Sequence, residues 1–322
     1  MNICVFLNGQ RGDILEASSV LYYRKELWGK DNKVTWFIGD ENRDLFKYQD
    51  IELRTFPRGF SYPQMVVEEN AKLVSEGKDP IWRDYQPLVD WDNRMNKALQ
   101  INYPELAEFD LGYFPAPHQM SVEKRNDTEY SLISKRVFGV NMEWEWHPVL
   151  MFSEQERIDA KEFMDNMLYL NKTVCIETFA GSGQSAMTDW MVIDTMRMCR
   201  EAFGQCNFVF VSHKFLNGSE VFPDEIKNQQ GVYFASHFTV RQCALVVGLS
   251  DLLISVSSGI TVASSCWGNN PTPIVQFCGS LVCSTQSIAL GKFELVTHGG
   301  VPLPLAIQDY NSRLLSLLNQ IK

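Results

Sequence analysis

The feature that most constrains this chain is a rhythm that runs twice along it: a short apolar run, a turn, an amphipathic stretch, then another apolar run. In the first pass Ile3-Cys4-Val5-Phe6-Leu7 is followed by a glycine turn, a helical stretch from about Ile14 to Trp28, and Val34-Thr35-Trp36-Phe37-Ile38. A second short helix near Arg43 to Tyr48 leads to the strand-like run Ile51 to Phe56. Apolar runs of this length, alternating with helical patterns, read as parallel strands joined by covering helices. Residues 57–112 are rich in aromatics and proline and read as helices and loops elaborating this half. Leu111 to Ala116 reads as its last strand, Ser121 to Phe138 as a helix, and residues 141–148 as the crossing to the next half.

The rhythm resumes after Ser153, which with Glu156 forms a capping-box pattern ahead of a helix reaching about Leu170. Strands are predicted at Thr173 to Thr178, Phe208 to Val211, Gly231 to Phe234, Leu252 to Val256 and Pro273 to Phe277. Helices are predicted at Ala186 to Phe203, Thr239 to Leu249 and Gly259 to Trp267. With 322 residues available, the pattern predicts an α/β chain of two Rossmann-like domains facing a central cleft. Their expected spans are 1–150 and 151–322, meeting near residues 141–172, with a terminal helix from about Asp309 returning to the first domain.

Charge narrows the partners. The net charge of −10 is shared fairly evenly between the halves, so neither is a basic module, which disfavours nucleic acid or anionic lipid bound by bulk attraction. No apolar stretch approaches the roughly 20 residues needed to span a bilayer, and the amino terminus lacks a signal-peptide pattern. The expectation is a cytoplasmic protein, with peripheral membrane association left open. Eight cysteines are scattered without CxxC spacing in mostly apolar contexts, as buried thiols are, which disfavours disulfides and structural zinc.

Three turns carry chemistry-bearing residues where a parallel sheet places its ligands, beyond the carboxyl ends of its strands. Gly9-Gln10-Arg11-Gly12-Asp13 follows the first strand, and Asp13 with Glu16 also fits a helix capping box with no chemistry. Phe179-Ala180-Gly181-Ser182-Gly183-Gln184-Ser185 follows the first strand of the second half; its glycines permit close backbone approach, and its free N–H groups and hydroxyls suit phosphate oxygens. It lacks the Lys-Ser/Thr ending of a P-loop, and a flexible turn is its plain alternative. Ser257-Ser258-Gly259-Ile260-Thr261 opens another helix, offering donors and a positive dipole end to a diphosphate, although Ser258 is equally a plain N-cap. His213 and His237 lie just after strands of the second half, and His237 is assigned to the substrate site; His118, His147 and His298 have no evident partners. Asp90-Trp91-Asp92 imitates an Asp-x-Asp metal motif, yet no clear buried strand precedes it, so no metal site is assigned.

These residues resemble a family. Gly12-Asp13-Ile14-Leu15-Glu16-Ala17-Ser18, followed by Val34 to Gly39, is similar to the opening of bacterial heptosyltransferases, the lipopolysaccharide-core enzymes of glycosyltransferase family nine and of the GT-B fold. Ala244 to Leu249, Ser250 to Ser255, and Ser257 to Thr261 with Ala263 and Gly268 resemble their donor-binding signature, and Pro148 to Ser153 resembles their interdomain connection. The resemblance implies that Asp13 is the base and that Ser182, Gly183, Ser257, Ser258, Gly259 and Thr261 bind the nucleotide diphosphate. Gly12, Gln184, Ser185 and His237 complete the expected substrate site. Two positions depart from the family: Ser257 stands where it usually has Asp, and Val262 where it usually has His.

The function expected is metal-independent transfer of a sugar from a nucleotide-diphosphate donor to a hydroxyl of a glycan, glycolipid or other acceptor, with no cofactor beyond the donor. Two alternatives stand beside it: a nucleotide-sugar epimerase on the same scaffold, and a non-catalytic relative that binds a nucleotide sugar or a protein.

Overall fold

The structure is a computed structural model that describes residues 2–7, 11–18, 24–56, 72–78, 108–109, 111–113, 149–168, 170, 172–180, 186–212, 222–235, 237–256, 258–266, 268–278, 293–297 and 303–321. The chain divides into two compact units, Met1–Met151 and Phe152–Lys322.

The first unit holds a parallel sheet of β1 (Asn2–Leu7), β2 (Lys33–Gly39), β3 (Glu52–Phe56) and β4 (Leu111–Tyr113), in the order β3-β2-β1-β4. Ile3, Cys4 and Val5 of β1 and Val34 to Gly39 of β2 are buried, as strands covered on both faces must be. The region read as one helix to Trp28 holds two helical segments, α1 (Arg11–Ala17) and α2 (Arg24–Trp28). A 3-10 helix, Asp40–Phe46, starts three residues earlier than the helix predicted near Arg43, because β2 runs straight into it without a loop. Ser18 fastens the end of α1 to the last residues of the unit. Its hydroxyl oxygen accepts from Val149 N at 2.7 Å, and Gln49 donates to the Val149 carbonyl at 3.3 Å. The predicted helix from Ser121 to Phe138 and the Asp90-Trp91-Asp92 segment lie outside the described residues.

The second unit opens with α3 (Glu154–Asp165), which begins at the capping box: Ser153 Oγ accepts from Glu156 N at 3.1 Å and Glu156 Oε2 accepts from Ser153 N at 2.9 Å. There follow β5 (Lys172–Ile176), α4 (Asp189–Phe203), β6 (Cys206–Phe210), α5 (Asp224–Lys227), β7 (Val232–Phe234), α6 (Val240–Gly248), β8 (Leu252–Val256), α7 (Gly259–Ser264), β9 (Ile274–Cys278), β10 (Phe293–Thr297) and α8 (Leu303–Ile321). All six strands are parallel, in the order β10-β9-β8-β5-β6-β7. Their period of two sorts the side chains into layers. Val174, Ile176, Phe208, Phe210, Leu252 and Ile254 pack against α4 and α8, while Cys175, Val209, Val211 and Leu253 pack against α3 and α6.

Three expectations are corrected here. β10 was not anticipated. The terminal helix begins at Leu303, not Asp309, and it belongs to the second unit: Ala306, Tyr310, Leu314 and Leu317 are buried in that unit's core, and the Tyr310 and Thr195 hydroxyls lie 2.7 Å apart. Asp13 is the third residue of α1, so its backbone is helical, whereas an N-cap residue is extended; the capping-box reading of Asp13 and Glu16 is excluded. Cys4, Cys175, Cys199, Cys206, Cys243 and Cys266 are buried thiols. No helix among the described residues is long and apolar enough to cross a membrane.

Candidate functional site

In the second unit the chain leaves β5 for β6 and β7 on one side, then returns to place β8, β9 and β10 on the other. The connections after β5 and β8 therefore diverge at neighbouring strands. Such a switch point opens a crevice beyond the carboxyl ends, where parallel sheets bind ligands. The turns singled out in the sequence are the two that leave these strands: Gly181 to Ser185 after β5, and Ser257 to Gly259 after β8.

The base of the first turn is pinned. Phe179 bridges Ala186, and Met187 N donates to the Thr178 carbonyl at 2.8 Å, closing the loop between them. Ser182, Gly183, Gln184 and Ser185 themselves lie outside the described residues, as does Ser257. Beside this base, Ser212 beyond β6 accepts from Thr178 N at 2.8 Å and shares a hydroxyl contact of 2.8 Å with Thr178.

The second turn is held from below. Ser258 is the N-cap of α7, extended at φ −149° and ψ 169°, and its hydroxyl oxygen accepts from Ile260 N at 3.0 Å and Thr261 N at 3.4 Å. Its hydrogen goes to Glu177 Oε1, and the Thr261 hydroxyl donates towards both Glu177 Oε2 at 3.3 Å and the Val256 carbonyl at 3.0 Å. Thr261 and Val262 are buried at 0% and 2% exposure. The Thr261 hydroxyl thus supports the turn from inside, and the position where heptosyltransferases usually carry histidine is an apolar core position here. Among the described residues the Gly259 N–H has no acceptor.

Sequence reading missed Glu177, Thr178 and Ser212. Glu177 is only 1% exposed and its N–H donates to Ile254 O at 2.8 Å, so it extends the β5–β8 pairing by one residue. Burial pushes its carboxyl up to about 8, while the hydrogen bonds from Ser258 and then Thr261 pull the other way. An acid inside an otherwise apolar strand was the available signal.

His237 stands apart from this group. It follows β7, the edge strand two places from β5, is exposed, and rests edge-on against Phe238 with ring centroids 4.4 Å apart. His213 lies outside the described residues.

The first unit repeats the topology. β1 leads to β2 and β3 on one side and β4 lies on the other, so its switch point falls between β1 and β4, and α1 with Gly12 and Asp13 follows β1. The Asp13 side chain lies outside the described part of the structure. Arg11 donates to the Glu41 carbonyl at 3.0 Å. It borders an open cavity of about 680 Å³ lined by Asp40, Glu41, Arg43, Asp44 and Lys47 among others.

The fold can be compared with known proteins. No family profile matches the sequence, and no curated protein is similar to it by sequence. Solved structures are similar over the whole chain. ADP-heptose lipopolysaccharide heptosyltransferase II of E. coli is 12% identical, covers 98% of this chain and 99% of its own, and superposes with a TM-score of 0.57. A glycosyltransferase of family nine from Veillonella parvula is 12% identical, with coverage of 98% and 97% and a TM-score of 0.60. E. coli heptosyltransferase WaaC with ADP is 12% identical, with coverage of 98% and 100% and a TM-score of 0.51. The likeness is one of fold: this chain has the two-unit α/β GT-B architecture of heptosyltransferases.

Proposed function

We propose that this chain is a metal-independent glycosyltransferase that moves a sugar from a nucleotide-diphosphate donor to an acceptor hydroxyl. The observation that carries the reading is topological: the two glycine- and serine-bearing turns of the second unit leave β5 and β8, the neighbouring strands of its switch point, and Glu177 at the end of β5 holds Ser258 and Thr261 at the start of α7. In this reading the second unit (151–322) holds the nucleotide sugar. The diphosphate meets backbone donors, Gly259 N–H first, together with Ser182, Gly183, Gln184, Ser185, Ser257 and Ser258. Thr261 shapes the turn from below, and His237 contributes from the rim. Preorganised amides of this kind stabilise a leaving diphosphate without solvent reorganisation.

The first unit (1–150) holds the acceptor, with Gly12 and Asp13 at the start of α1 and the mixed-charge cavity beside Arg11 suited to a polar, sugar-like molecule. The acceptor oxygen attacks the anomeric carbon, the bond from that carbon to the diphosphate oxygen breaks, and the hydroxyl proton passes to the Asp13 carboxylate. The similar E. coli structures are named for ADP-heptose, which makes ADP-heptose the first donor to try. Ser257, and Val262 in the core, differ from the Asp and His usual in that family, so UDP- and GDP-sugars belong in the same panel.

The test is a panel of nucleotide sugars scored by thermal shift and then by turnover with hydroxyl acceptors. Stabilisation by one nucleotide class together with acceptor-dependent release of the free nucleotide supports the reading. Stabilisation without transfer to any acceptor removes catalysis from it, and no stabilisation by any nucleotide sugar removes it altogether.

A further inference from the structure

The short helix after β2 carries charge on a fixed period. Asp40–Phe46 is a 3-10 helix, in which residues three apart lie one above the other. One row, Asn42 and Leu45, is buried in the first unit. The other two rows, Asp40-Arg43-Phe46 and Glu41-Asp44 continued by Lys47 just past the helix end, line the cavity of about 680 Å³. Arg11 joins them from the start of α1, donating to the Glu41 carbonyl at 3.0 Å. A Cβ on Gly39 would stand 2.9 Å from both Glu41 carboxylate oxygens, so that carboxylate lies folded back over the end of β2.

Arg11, Arg43 and Lys47 thus share the cavity with Asp40, Glu41 and Asp44, and among the described residues none of the six is ion-paired. Spacing alone does not keep them apart. Charges three residues apart pair elsewhere in the chain, Asp194 with Arg197 and Asp224 with Lys227, each at 2.6 Å. Within the first unit Arg24 pairs with Asp50 and Arg54 with Glu52. Phe46 and, from β3, Leu53 add apolar surface to the same cavity.

This balance selects a ligand. Carboxylates only accept hydrogen bonds, guanidinium and ammonium groups only donate, and a hydroxyl does both. A phosphate or carboxylate would be served by the three cations and repelled by the three acids, and an ammonium would meet the reverse. A molecule with many hydroxyls and no charge can use both sets at once, through charge-assisted bonds, with its carbon face on the apolar surface. The cavity volume lies in the range of small-ligand sites.

We propose that this cavity binds a neutral glycan, one without phosphate, carboxylate or free amine, and that Arg43 and Lys47 set against Asp40 and Asp44 determine that preference. That the glycan is the acceptor of transfer rests on the functional reading above; the binding site does not.

The test is ligand-observed NMR titration of the full chain with glucose, galactose, mannose and their disaccharides. Beside them stand the matching 6-phosphates, uronic acids and 2-amino sugars, at about pH 6, where the amine is charged. Neutral sugars should bind, and charged forms should bind at least about tenfold more weakly, because each meets like charge in the cavity. Asp44→Lys should weaken neutral sugars by about tenfold, through loss of a charge-assisted bond, and turn the preference toward the 6-phosphates, most of all at low salt. Should that variant fail to fold by circular dichroism, Arg43→Glu, at an exposed position, makes the converse test, with the preference turning to 2-amino sugars. An unchanged order of preference in a folded variant overturns the proposal, as does tighter binding of a charged sugar by wild type, or no binding of any sugar. Nucleotide sugars titrated into the same preparations separate the two readings. Their binding without that of neutral sugars removes the glycan site and leaves the functional reading. Glycan binding in a chain that binds no nucleotide sugar removes the functional reading and leaves the site.

Discussion

The first unit places an acid, Asp13, three residues into the helix that follows β1, whereas the second places one, Glu177, directly at the end of β5, 1% exposed, its carboxyl accepting among the described residues from the Ser258 and Thr261 hydroxyls. Both follow the first strand of a sheet that begins in the order 3-2-1-4. The same topology therefore serves two electrostatic ends. Burial, with no cation paired to it among the described residues, pushes the second acid up to about 8. An acid on a helix after β1 adds negative charge near a strand end, which suits proton removal and opposes a phosphate.

The comparison breaks most decisively at Asp13. Asp13→Asn keeps the shape of the side chain and should leave nucleotide affinity unchanged while transfer falls by about 10²- to 10⁴-fold, the usual range for loss of a general base. The measurement is turnover at saturating donor with calorimetric nucleotide binding alongside. Transfer within a few-fold of wild type would assign Asp13 a helical role and send the search for a base to other carboxylates of the first unit.

A second acid of the second unit sharpens the contrast, because it is buried in the opposite way. Burial raises the carboxyl of Glu156, but Arg241, then the Ser153 amide, more than offset this and hold it below the usual range. Arg241 Nε and Nη2 donate to it at 2.7 and 2.8 Å, with the guanidinium lying 5.3 Å above the Phe152 ring. Arg241→Ala leaves a half-buried carboxylate without its cation, and a loss of about 3–5 kcal/mol in unfolding free energy is expected. For a depressed acid the stabilisation is present above the unfolded value and disappears as pH falls through the lower folded one. The gap between wild type and Arg241→Ala should therefore close on acidification. A gap that persists into strong acid would point to lost packing on Phe152 in place of lost charge.

Ser258→Ala probes the tie between the end of β5 and the start of α7. An ordinary N-cap is worth about 1 kcal/mol, and Thr239→Ala, at the cap of α6, should show that value, since among the described residues the Thr239 side chain bonds within its own capping box. Ser258→Ala should cost about 2 kcal/mol, because it also strips a donor from a buried carboxyl. Equal losses in the two variants would mean that the Glu177 contact contributes nothing.

How far these differences were legible in the sequence depends on how local their causes are. β8 was read at its observed limits, Leu252 to Val256, because four apolar residues and one serine between polar turns leave few choices. The Ser153 box was legible because both of its partners lie within three residues. β10 was missed because Phe-Glu-Leu-Val-Thr is short and carries an acid, and its assignment comes from pairing with β9. Pro304 hid the start of α8: proline reads as a breaker, yet the first turn of a helix tolerates it, since N–H groups there have no intrahelical acceptor. At the candidate site the turns were visible as glycine and serine clusters. Glu177 was passed over because its meaning depends on Ser258 and Thr261, 81 and 84 residues away.

The smallest expected effect is also the cleanest separation of binding from folding. Gly259 is the first residue of α7, at the positive end of the helix dipole, and its N–H has no acceptor among the described residues. Aspartate is favourable for a helix at that position, so Gly259→Asp should leave the unfolding free energy equal to wild type or slightly higher. The same carboxylate would occupy the electrostatic place of a phosphate and repel the donor's own charge. Nucleotide affinity should fall by about tenfold, or roughly 1.4 kcal/mol, at low ionic strength, and the loss should shrink as salt screens the two anions. Calorimetry with ADP and UDP at two salt concentrations reads both quantities. Unchanged affinity in a folded Gly259→Asp protein would move the diphosphate away from the β8 turn, and with it the assignment of donor chemistry to the second unit's switch point.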